Sequence, residues 1–322
     1  MKRFLSSVVL TAALITIIPL KTWAAQQLIP VGQIIGLQLR SDTITVVAYD
    51  DVLGDCARSA GLKIGDEILQ IGETPITCTE DIQKALCSCG EQTRLTVRRG
   101  GSISQLEITP RQTEDGPRLG VYLRQGIAGI GTVTFYDPET GLFGTLGHGV
   151  SDARGSLLEM TRGSAYEAEL LSVKKGKRGD PGQLKGSARS MEDFGTLLRN
   201  TPQGVFGISR TGWQGEALPT AEYAQIQPGP AMIRCQVSSE GVREYSVEIL
   251  KIYPQARCDG RNFLLRVTDP TLLDQTGGIV QGMSGSPIIQ DGKLVGAVTH
   301  VLVNDPQRGY GIFIENMLEA AS

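Results

Sequence analysis

The chain has 322 residues and a formal net charge of −3 at pH 7, with a pI near 5.6, so nothing in its charge points to nucleic acid or to an anionic membrane surface as a partner. Glycine supplies 40 residues and aromatic side chains only 5%, which favours many turns and short strands over a helical bundle. We therefore predict a mainly β protein with one large or two modest domains behind a short leader.

Residues 1–27 have the features of a signal peptide or an N-terminal membrane anchor. Lys2 and Arg3 form a charged start, residues 4–20 are apolar and uncharged, and residues 22–25 offer small side chains to a signal peptidase. The apolar run of 17 residues is at the lower limit for a membrane span, so a cleaved signal and a retained anchor are both open. Either one places the rest of the chain outside the cytoplasm.

Export also bears on the cysteines, because it permits disulfides. The spacing of two of them, Cys87 and Cys89, does not match a zinc ribbon, and no histidine lies near them. We expect buried thiols or one or two local bridges rather than a metal site, and no cofactor. The six cysteines are Cys56, Cys78, Cys87, Cys89, Cys235 and Cys258.

Residues 28–111 alternate between strand-like and turn-like stretches and include one helical pattern. Ile82, Ala85 and Leu86 recur at helical spacing, which predicts a helix over residues 79–87. The β-rich stretches between the turn signals predict strands at residues 36–39, 43–49, 67–71, 93–101 and 104–110.

One stretch of this region, A-G-L-K-I-G-D-E-I-L-Q-I at residues 60–71, resembles the PDZ family. In that family an Ile/Leu-Gly-Leu/Phe segment holds a peptide carboxylate through backbone N–H groups, and the peptide adds as a strand to an exposed edge. The resemblance implies a small α/β domain over residues 28–111 in which Ile35, Gly36 and Leu37 bind peptide. The alternative is a small β domain that only spaces the next domain from the membrane.

One of the two histidines lies in a context suited to a general base. His148 stands in G-L-F-G-T-L-G-H-G-V-S-D, where a short strand leads into Gly-His-Gly and a polar turn. It precedes Ser284 by 136 residues, a separation that fits one β-barrel for the base and one for the nucleophile. His300, 16 residues after that serine, is the alternative base.

The third catalytic group would orient the base and favour its charged form. Asp269 ends an apolar strand just before Pro270, which would end that strand, so it is the favoured carboxylate near a barrel junction. The alternative for this residue is an ordinary Asp-Pro turn. The other carboxylates considered for the role are Asp152, Asp180, Asp193 and Asp274.

The nucleophile is predicted in Gly282-Met283-Ser284-Gly285-Ser286-Pro287. A reactive serine needs an exposed hydroxyl beside N–H groups that can hold an oxyanion, and the flanking glycines let the backbone turn tightly. Asp291-Gly292 then signals a hairpin. The segment resembles the G-x-S-G-x-P turn of chymotrypsin-like serine proteases, which implies a double β-barrel over residues 112–322 and an oxyanion hole formed by the N–H groups of Gly282 and Ser284.

The whole arrangement resembles the stage IV sporulation protein B family of serine peptidases from endospore-forming bacteria. The resemblance rests on the leader, the PDZ-like segment and two long motifs, G-T-L-G-H-G-V-S-D and T-G-G-I-V-Q-G-M-S-G-S-P-I-I-Q-D-G-K-L-V-G-A-V-T-H-V. It implies a triad of His148, Asp269 and Ser284, because the family places its aspartate 15 residues ahead of the serine.

The resemblance also implies a biological role. Such peptidases are exported into the space between the two forespore membranes, cleave themselves near the N-terminus and then cut the extracytoplasmic part of a membrane-bound regulator. That cut releases an intramembrane metalloprotease, which activates a late mother-cell sigma factor. The expected partners are therefore peptide or protein substrates, the membrane-bound regulator and the chain's own N-terminal segment.

Two rival hypotheses remain open at this point. The chain could be a non-catalytic binding protein whose barrels and PDZ-like domain scaffold a membrane complex. It could instead be a periplasmic quality-control protease, although in such enzymes the PDZ domain follows the protease, whereas here it precedes it.

Overall fold

The computed structural model describes residues 25–152, 155–254 and 260–322. Residues 1–24 of the predicted leader and Cys258 lie outside the described residues. Within the described part of the chain, no helix is long and apolar enough to cross a membrane.

The described chain is dominated by antiparallel strands. In chain order they are β1 (Gln27–Pro30), β2 (Ile34–Tyr49), β3 (Glu67–Ile71), β4 (Thr74–Pro75), β5 (Thr93–Arg99), β6 (Ser102–Ile108), β7 (Arg111–Thr113), β8 (Gly116–Arg118), β9 (Val121–Tyr136), β10 (Leu142–Thr145), β11 (Arg162–Lys174), β12 (Gln183–Thr201), β13 (Gly204–Ser209), β14 (Leu218–Pro219), β15 (Gly229–Ser238), β16 (Gly241–Ile252), β17 (Phe263–Val267), β18 (Pro287–Gln290), β19 (Lys293–Leu302) and β20 (Asp305–Phe313). The helices are α1 (Asp55–Ser59), α2 (Thr79–Ser88), α3 (Pro270–Thr276) and α4 (Ile314–Ala321), with one 3₁₀ turn at Tyr223–Gln225.

Two β-barrels form the body of the molecule, as predicted for a mainly β, chymotrypsin-like protein. In the first, β9, β10, β13, β12, β11 and β2 pair in that order, and the β2–β9 pairing closes the ring. In the second, β15, β16, β17, β20, β19 and β18 form a closed barrel. Apolar side chains at every second strand position fill each interior, with Phe143 in the first and Phe263 in the second fully buried.

A smaller α/β unit is built from the second half of β2, strands β3 to β6, helices α1 and α2, and the start of β9. Its separate core includes Ile44, Ile68, Ile82 and Leu95, and the α2 helix packs Ile82, Ala85 and Leu86 inward as its periodicity predicts. This unit is the PDZ-like fold that the sequence predicts. It shares two strands, β2 and β9, with the first barrel.

The predicted PDZ-like domain at residues 28–111 and the predicted protease domain from residue 112 share strands in this fold. Residues 34–40 of β2 pair with β9 on one edge and with β11 on the other, inside the first barrel. The PDZ-like unit is therefore an insertion between the first and second strands of that barrel. Sequence patterns could not show this, because one 16-residue strand serves both units without a break in its alternation.

The same pairing corrects the predicted peptide-binding residues. Ile35, Gly36 and Leu37 lie opposite Gly131, Ile130 and Gly129 on one side, and they pair with residues 165–167 of β11 on the other. Ile35 and Leu37 are also buried in the barrel core. Both edges of this segment are occupied, so it cannot accept a peptide as an added strand.

Candidate active site

The serine loop connects α3 to β18 and is shaped by two glycines with positive φ. Gly282 and Gly285 both have φ of 98°, and a Cβ at position 285 would come within 2.0 Å of the carbonyl oxygen of Thr132. Only glycine fits this close approach. The loop presents Ser284 at the surface between the barrels, half-buried, with its Oγ donating a 2.6 Å hydrogen bond to the carbonyl oxygen of Thr299.

Strand β9 of the first barrel fixes the orientation of this loop. Thr132 donates from Oγ1 to the carbonyl oxygen of Gly282 at 2.7 Å and from its N–H to the carbonyl oxygen of Ser284 at 3.2 Å. Thr134 donates from Oγ1 to the carbonyl oxygen of Gly285 at 2.7 Å. The two peptide groups that carry the N–H groups of Gly282 and Ser284 are held through their carbonyls: Gln281 accepts from the Leu184 N–H, and Met283 accepts from Ser286. The N–H groups of Gly282 and Ser284 themselves make no hydrogen bond to any described residue and can receive an oxyanion.

The histidine loop follows β10 and begins with a strained residue. Leu146 has φ of 70°, a left-handed conformation that costs a leucine on the order of 1–3 kcal/mol, and its N–H donates to the carbonyl oxygen of Thr132 at 3.3 Å. Thr145 donates from Oγ1 to the same oxygen at 2.6 Å. A single buried residue, Thr132, thus contacts the loops of both predicted catalytic side chains.

The His148 ring makes one hydrogen bond within the described residues, from Nδ1 to the carbonyl oxygen of Gly149 at 2.9 Å. A carbonyl oxygen can only accept, so Nδ1 carries the proton and Nε2 keeps the lone pair that a general base needs. The backbone of Gly149 therefore performs the tautomer-fixing part of the role that the sequence assigned to an aspartate. A carbonyl acceptor cannot be recognised from residue types, which is why the sequence did not reveal it.

Asn200 on β12 holds the segment that carries this carbonyl. Its Oδ1 accepts from the N–H of Val150 at 2.9 Å, and its Nδ2 donates to the carbonyl oxygens of Val150 at 2.8 Å and Leu158 at 2.9 Å. A Cβ on Gly149 would lie 2.3 Å from Leu157 Cδ1, so the glycine after the histidine is required by packing. The amide side chain of Asn200 was not singled out by the sequence, which gave no local signal for it.

Strand β19 brings the two loops together. Thr299 accepts the Ser284 hydroxyl through its carbonyl, and a Cβ at Gly147 would come within 2.8 Å of Thr299 Cγ2. The next residue, His300, places its ring 5.3 Å from that of His148, centroid to centroid. In this state the serine proton is directed at Thr299 rather than at His148. Catalytic hydrogen bonds of unliganded enzymes often form only when substrate binds.

Burial lowers the pKa of His148 below its ordinary value of 6.5, and the hydrogen bond to the Gly149 carbonyl opposes this only in part. The neutral ring is the form that accepts a proton. We therefore expect the acid limb of the pH profile of kcat/KM to fall at an apparent pKa below 6.5. The unfolded chain would bind a proton near 6.5 while the folded chain would not, so this group's contribution to stability should be lost as the pH drops below 6.5. Measuring kcat/KM for peptide hydrolysis between pH 4 and 8 would locate the acid limb, and an acid limb above pH 7 would contradict the lowered pKa of His148.

Asp269 is not brought to His148 in this structure. It caps α3, accepting from the N–H groups of Thr271 at 2.9 Å and Leu272 at 3.0 Å, and it also accepts from the N–H of Ser246 at 3.3 Å. The other carboxylates considered are engaged elsewhere: Asp152 accepts from the Ser156 N–H, Asp180 contacts Lys174, Asp193 contacts Arg210 and Asp274 contacts Lys175.

A substitution at Asp269 separates a catalytic role from a capping role. Asn caps helices about as well as Asp, so Asp269→Asn should keep the fold. We expect kcat/KM to fall by less than about tenfold, whereas a true orienting aspartate would give a loss of roughly ten-thousand-fold. As a control, Asp269→Ala should lower the free energy of unfolding by about 1 kcal/mol through loss of the cap. A ten-thousand-fold loss in the Asn variant with an unchanged melting temperature would restore Asp269 to the triad.

Thr132 is a positioning residue whose role can be measured. Thr132→Val keeps the side-chain shape but removes the donor to the Gly282 carbonyl, so the turn that aims the Gly282 N–H becomes less fixed. We expect kcat to fall by about 10- to 100-fold with little change in KM. Thr132→Ser should restore most of kcat. Thr134→Val, which removes the neighbouring donor to the Gly285 carbonyl, should lose similar stability with a smaller loss of kcat, and equal kcat losses in both Val variants would contradict the assignment.

A candidate peptide-binding edge of the PDZ-like unit lies at its C-terminal end. Leu119-Gly120-Val121 enters β9 with Gly120 at φ of 67°, and this triplet resembles the Ile/Leu-Gly-Leu/Phe pattern of residues 35–37 except for the valine at its third position. A groove of about 630 Å³ runs between β9 and α2 here, lined by Thr79, Gln83 and Leu123 among others. The Leu-Gly-Val pattern is visible in the sequence, but it follows the last strand predicted for the PDZ-like unit. Its place beside the α2 helix is therefore apparent only in the fold.

The described cysteines are all thiols, namely Cys56, Cys78, Cys87, Cys89 and Cys235. Burial is the main cause of the raised pKa of the Cys235 thiol, which makes it unreactive at neutral pH. Within the described part of the chain, no group of three or more His, Cys, Asp or Glu side chains is arranged to hold a metal ion.

Comparison with known proteins decides the family. The profile of the SpoIVB peptidase S55 family matches residues 115–318, and that of the PDZ domain matches residues 34–109. The chain belongs to the SpoIVB peptidase S55 family. It is therefore a serine peptidase with a PDZ domain, and the non-catalytic rival is set aside. The family that the motifs of His148 and Ser284 suggested is confirmed.

Shorter similarities extend to other proteases. A protein of Treponema pallidum that carries the name of a zinc metalloprotease is 36% identical over 80 residues, which is 24% of this chain and 18% of that protein. The serine protease HTRA1 of Xenopus tropicalis is 36% identical over 58 residues, 18% of this chain and 13% of that protein. The chain thus matches less than a fifth of the length of these relatives.

Among solved structures, the Rv3671c protease of M. tuberculosis in its active form aligns with a TM-score of 0.36 and 15% identity, covering 62% of this chain and 75% of that chain. Its inactive form gives a TM-score of 0.34 and 14% identity, covering 60% of this chain and 82% of that chain.

Proposed function

We propose that this serine peptidase is exported, cleaves itself near its N-terminus and then cuts the extracytoplasmic part of a membrane-bound regulator during sporulation. That cut would lead to activation of a late mother-cell sigma factor. The proposal is supported by membership of the SpoIVB peptidase S55 family and by the charged start and apolar run in residues 1–27, which have the pattern of an export signal. The site of action would be the space between the two forespore membranes, with the chain membrane-anchored before self-cleavage.

The observation that carries the catalytic part is the serine loop. Ser284 lies beside two N–H groups, its own and that of Gly282, that make no hydrogen bond to a described residue, and Thr132 holds the loop through the carbonyl oxygens of Gly282 and Ser284. In the proposed mechanism the Nε2 atom of His148 takes the Ser284 proton and Oγ attacks a peptide carbonyl, forming a tetrahedral intermediate whose oxyanion is held by the two N–H groups. The protonated histidine then gives the proton to the leaving amine, and water resolves the acyl-enzyme.

The PDZ-like unit would contribute recognition. The groove between β9 and α2 fits the edge-addition mode in which an extended peptide gains main-chain hydrogen bonds. We propose that it selects the regulator or the chain's own N-terminal segment and so controls self-cleavage.

Self-processing offers a direct test. The purified full-length chain and its Ser284→Ala variant are incubated separately, and N-terminal shortening is followed by mass spectrometry. Shortening of the wild type alone is expected. Equal shortening of both proteins would mean that a contaminating protease made the cut, and no shortening of either, together with no cleavage of the regulator's extracytoplasmic part, would overturn the proposal.

A further inference from the structure

Strand β9 runs without interruption from the PDZ-like unit to the serine loop. It spans Val121–Tyr136, with Gly120 at the groove before its start and Thr132, which holds Ser284, near its end. One of its edges pairs with β2 from residue 121 to residue 132. Its other edge pairs with β10 only from residue 133 onward. In the described chain, no strand pairs with that second edge between residues 121 and 131.

The backbone alternation shows which groups face this open edge. Thr132 directs its N–H to Ser284 and its C=O to Leu146, both away from β2, whereas Val133 exchanges hydrogen bonds with the segment before β2. The register from residue 126 to 132 is unbroken, so Ile130 and Ala128 also face away from β2. Ala128 is exposed.

At the other end of the strand, Leu123 faces the open edge. Val46 lies opposite Leu123 on β2 and exchanges hydrogen bonds with Gly65 and Asp66, on the side away from β9. Val46 and Leu123 are therefore a non-hydrogen-bonded pair, so the N–H and C=O groups of Leu123 face away from β2. Along β9, successive residues direct their backbone N–H and C=O groups alternately toward β2 and toward the open edge. This alternation shifts by one residue between Leu123 and Ala128, where the pairing register with β2 shifts between Arg40 and Thr45. A peptide on this edge would therefore pair in two stretches with an irregularity between them.

Three openings border the strand between Val121 and Ile130. The groove beside α2 has about 630 Å³. The next opening is a cleft of about 610 Å³ over the sheet face, lined by residues 125–128 of β9 together with residues 38–42 and 161–162. The third has about 560 Å³ and is lined by Ile130 and Leu184 together with residues 36–38 of β2. Leu184 donates from its N–H to the carbonyl oxygen of Gln281, beside the serine loop, at 2.8 Å. Gln125 lies between the groove and the cleft, where its Nε2 donates to the Thr77 carbonyl oxygen at 2.7 Å.

We propose that the open edge of β9 is a single track for the substrate segment that follows the scissile bond, joining the active site to the PDZ groove. In this proposal the peptide's C-terminal carboxylate lies at Leu119-Gly120-Val121, beside the groove, and a peptide antiparallel to β9 then extends toward Ser284 in its N-terminal direction. The 12 positions from Gly120 to Thr132 correspond to about 40 Å of extended chain. The geometry thus sets a preferred distance of about 12 residues between the scissile bond and a free C-terminus. This inference rests on the proposed peptidase activity.

The test reads cut positions in random peptide libraries of about 16, 20 and 24 residues with free C-termini. The purified full-length enzyme is added, and the C-terminal products are sized by mass spectrometry. The expected result is a product of about 12 residues from every library, with the clustering lost when the C-termini are amidated. Cuts spread evenly, or fixed relative to the N-terminus, would overturn the track while leaving the peptidase activity standing. No cut in any library would overturn the peptidase proposal and the track with it.

A variant pair tests the edge itself. The N–H of Ala128 faces away from β2, so Ala128→Pro removes no ladder hydrogen bond of the sheet but blocks addition of a strand. The length clustering should disappear in Ala128→Pro and persist in Ala128→Val, which keeps the N–H group. Circular dichroism and labelling of Ser284 by a fluorophosphonate show that both variants are folded. Clustering that survives in a folded, labelled Ala128→Pro protein would overturn the proposal.

Discussion

Replacing Ser284 with Ala should reduce peptide turnover by roughly a million-fold, because the variant retains the oxyanion N–H groups but has no atom to form the acyl-enzyme. The Ser284 hydroxyl makes one hydrogen bond, to the Thr299 carbonyl oxygen, and the side chain is half-buried. The free energy of unfolding should therefore change by only about 1 kcal/mol. Hydrolysis assays at high enzyme concentration, combined with fluorophosphonate labelling, measure the loss.

Ser286 provides the matched control within the same turn. It is fully buried and donates to the Met283 carbonyl oxygen at 2.7 Å, so Ser286→Ala removes a hydroxyl from the loop without removing the nucleophile. We expect Ser286→Ala to keep fluorophosphonate labelling and to lose activity by no more than about tenfold. Loss of labelling in Ser286→Ala with labelling intact in Ser284→Ala would exchange the roles of the two serines.

The sequence was informative where local chemistry decides the structure. The Gly-x-Ser-Gly turn, the Asp291-Gly292 hairpin and the helical spacing of Ile82, Ala85 and Leu86 are local signals, and each corresponds to an element of the structure. The PDZ-like core was also predicted from local punctuation. Its Gly65-Asp66 turn is held by the buried Asp66 carboxylate, which binds Arg99 through two hydrogen bonds of 2.7 and 2.6 Å.

Long-range pairing could not be predicted in the same way. Residues 35–37 have the composition of a peptide-binding segment, but their two neighbours in the sheet come from residues 129–131 and 165–167. A strand whose alternation is unbroken gives no sign that it passes from one unit into another. The insertion of the PDZ-like unit into the first barrel, and with it the β9 connection to Ser284, therefore became visible only in the fold.

The group that orients His148 could not be predicted from the sequence for a related reason. Asp269 has the spacing expected of the third catalytic group, but in the fold its carboxylate oxygens accept from three backbone N–H groups. The group that fixes the His148 tautomer is the Gly149 carbonyl. Backbone acceptors have no residue signature, and their role depends on a loop conformation that Asn200 supports from a distant strand.

Replacing His148 with Ala should lower kcat/KM by roughly a million-fold, since in a serine triad loss of the base costs about as much as loss of the nucleophile. The alternative base, His300, lies on β19 with its ring 5.3 Å from that of His148, so the two must be separated by experiment. His300→Gln keeps a polar side chain of similar length and should cost less than about tenfold, because His148 still accepts the serine proton. Both kcat/KM values are measured against the wild type with one peptide substrate.

The pH profile makes this comparison decisive, because the two histidines cannot both produce the acid limb. The lowered pKa of His148 results from burial of its ring, so in His300→Gln the limb should remain at an apparent pKa below 6.5. In His148→Ala the residual hydrolysis should lack this limb, since the group that titrates has been removed. A limb that persists in His148→Ala and vanishes in His300→Gln would make His300 the base. It would then be β19, rather than the loop after β10, that supplies the proton acceptor to Ser284.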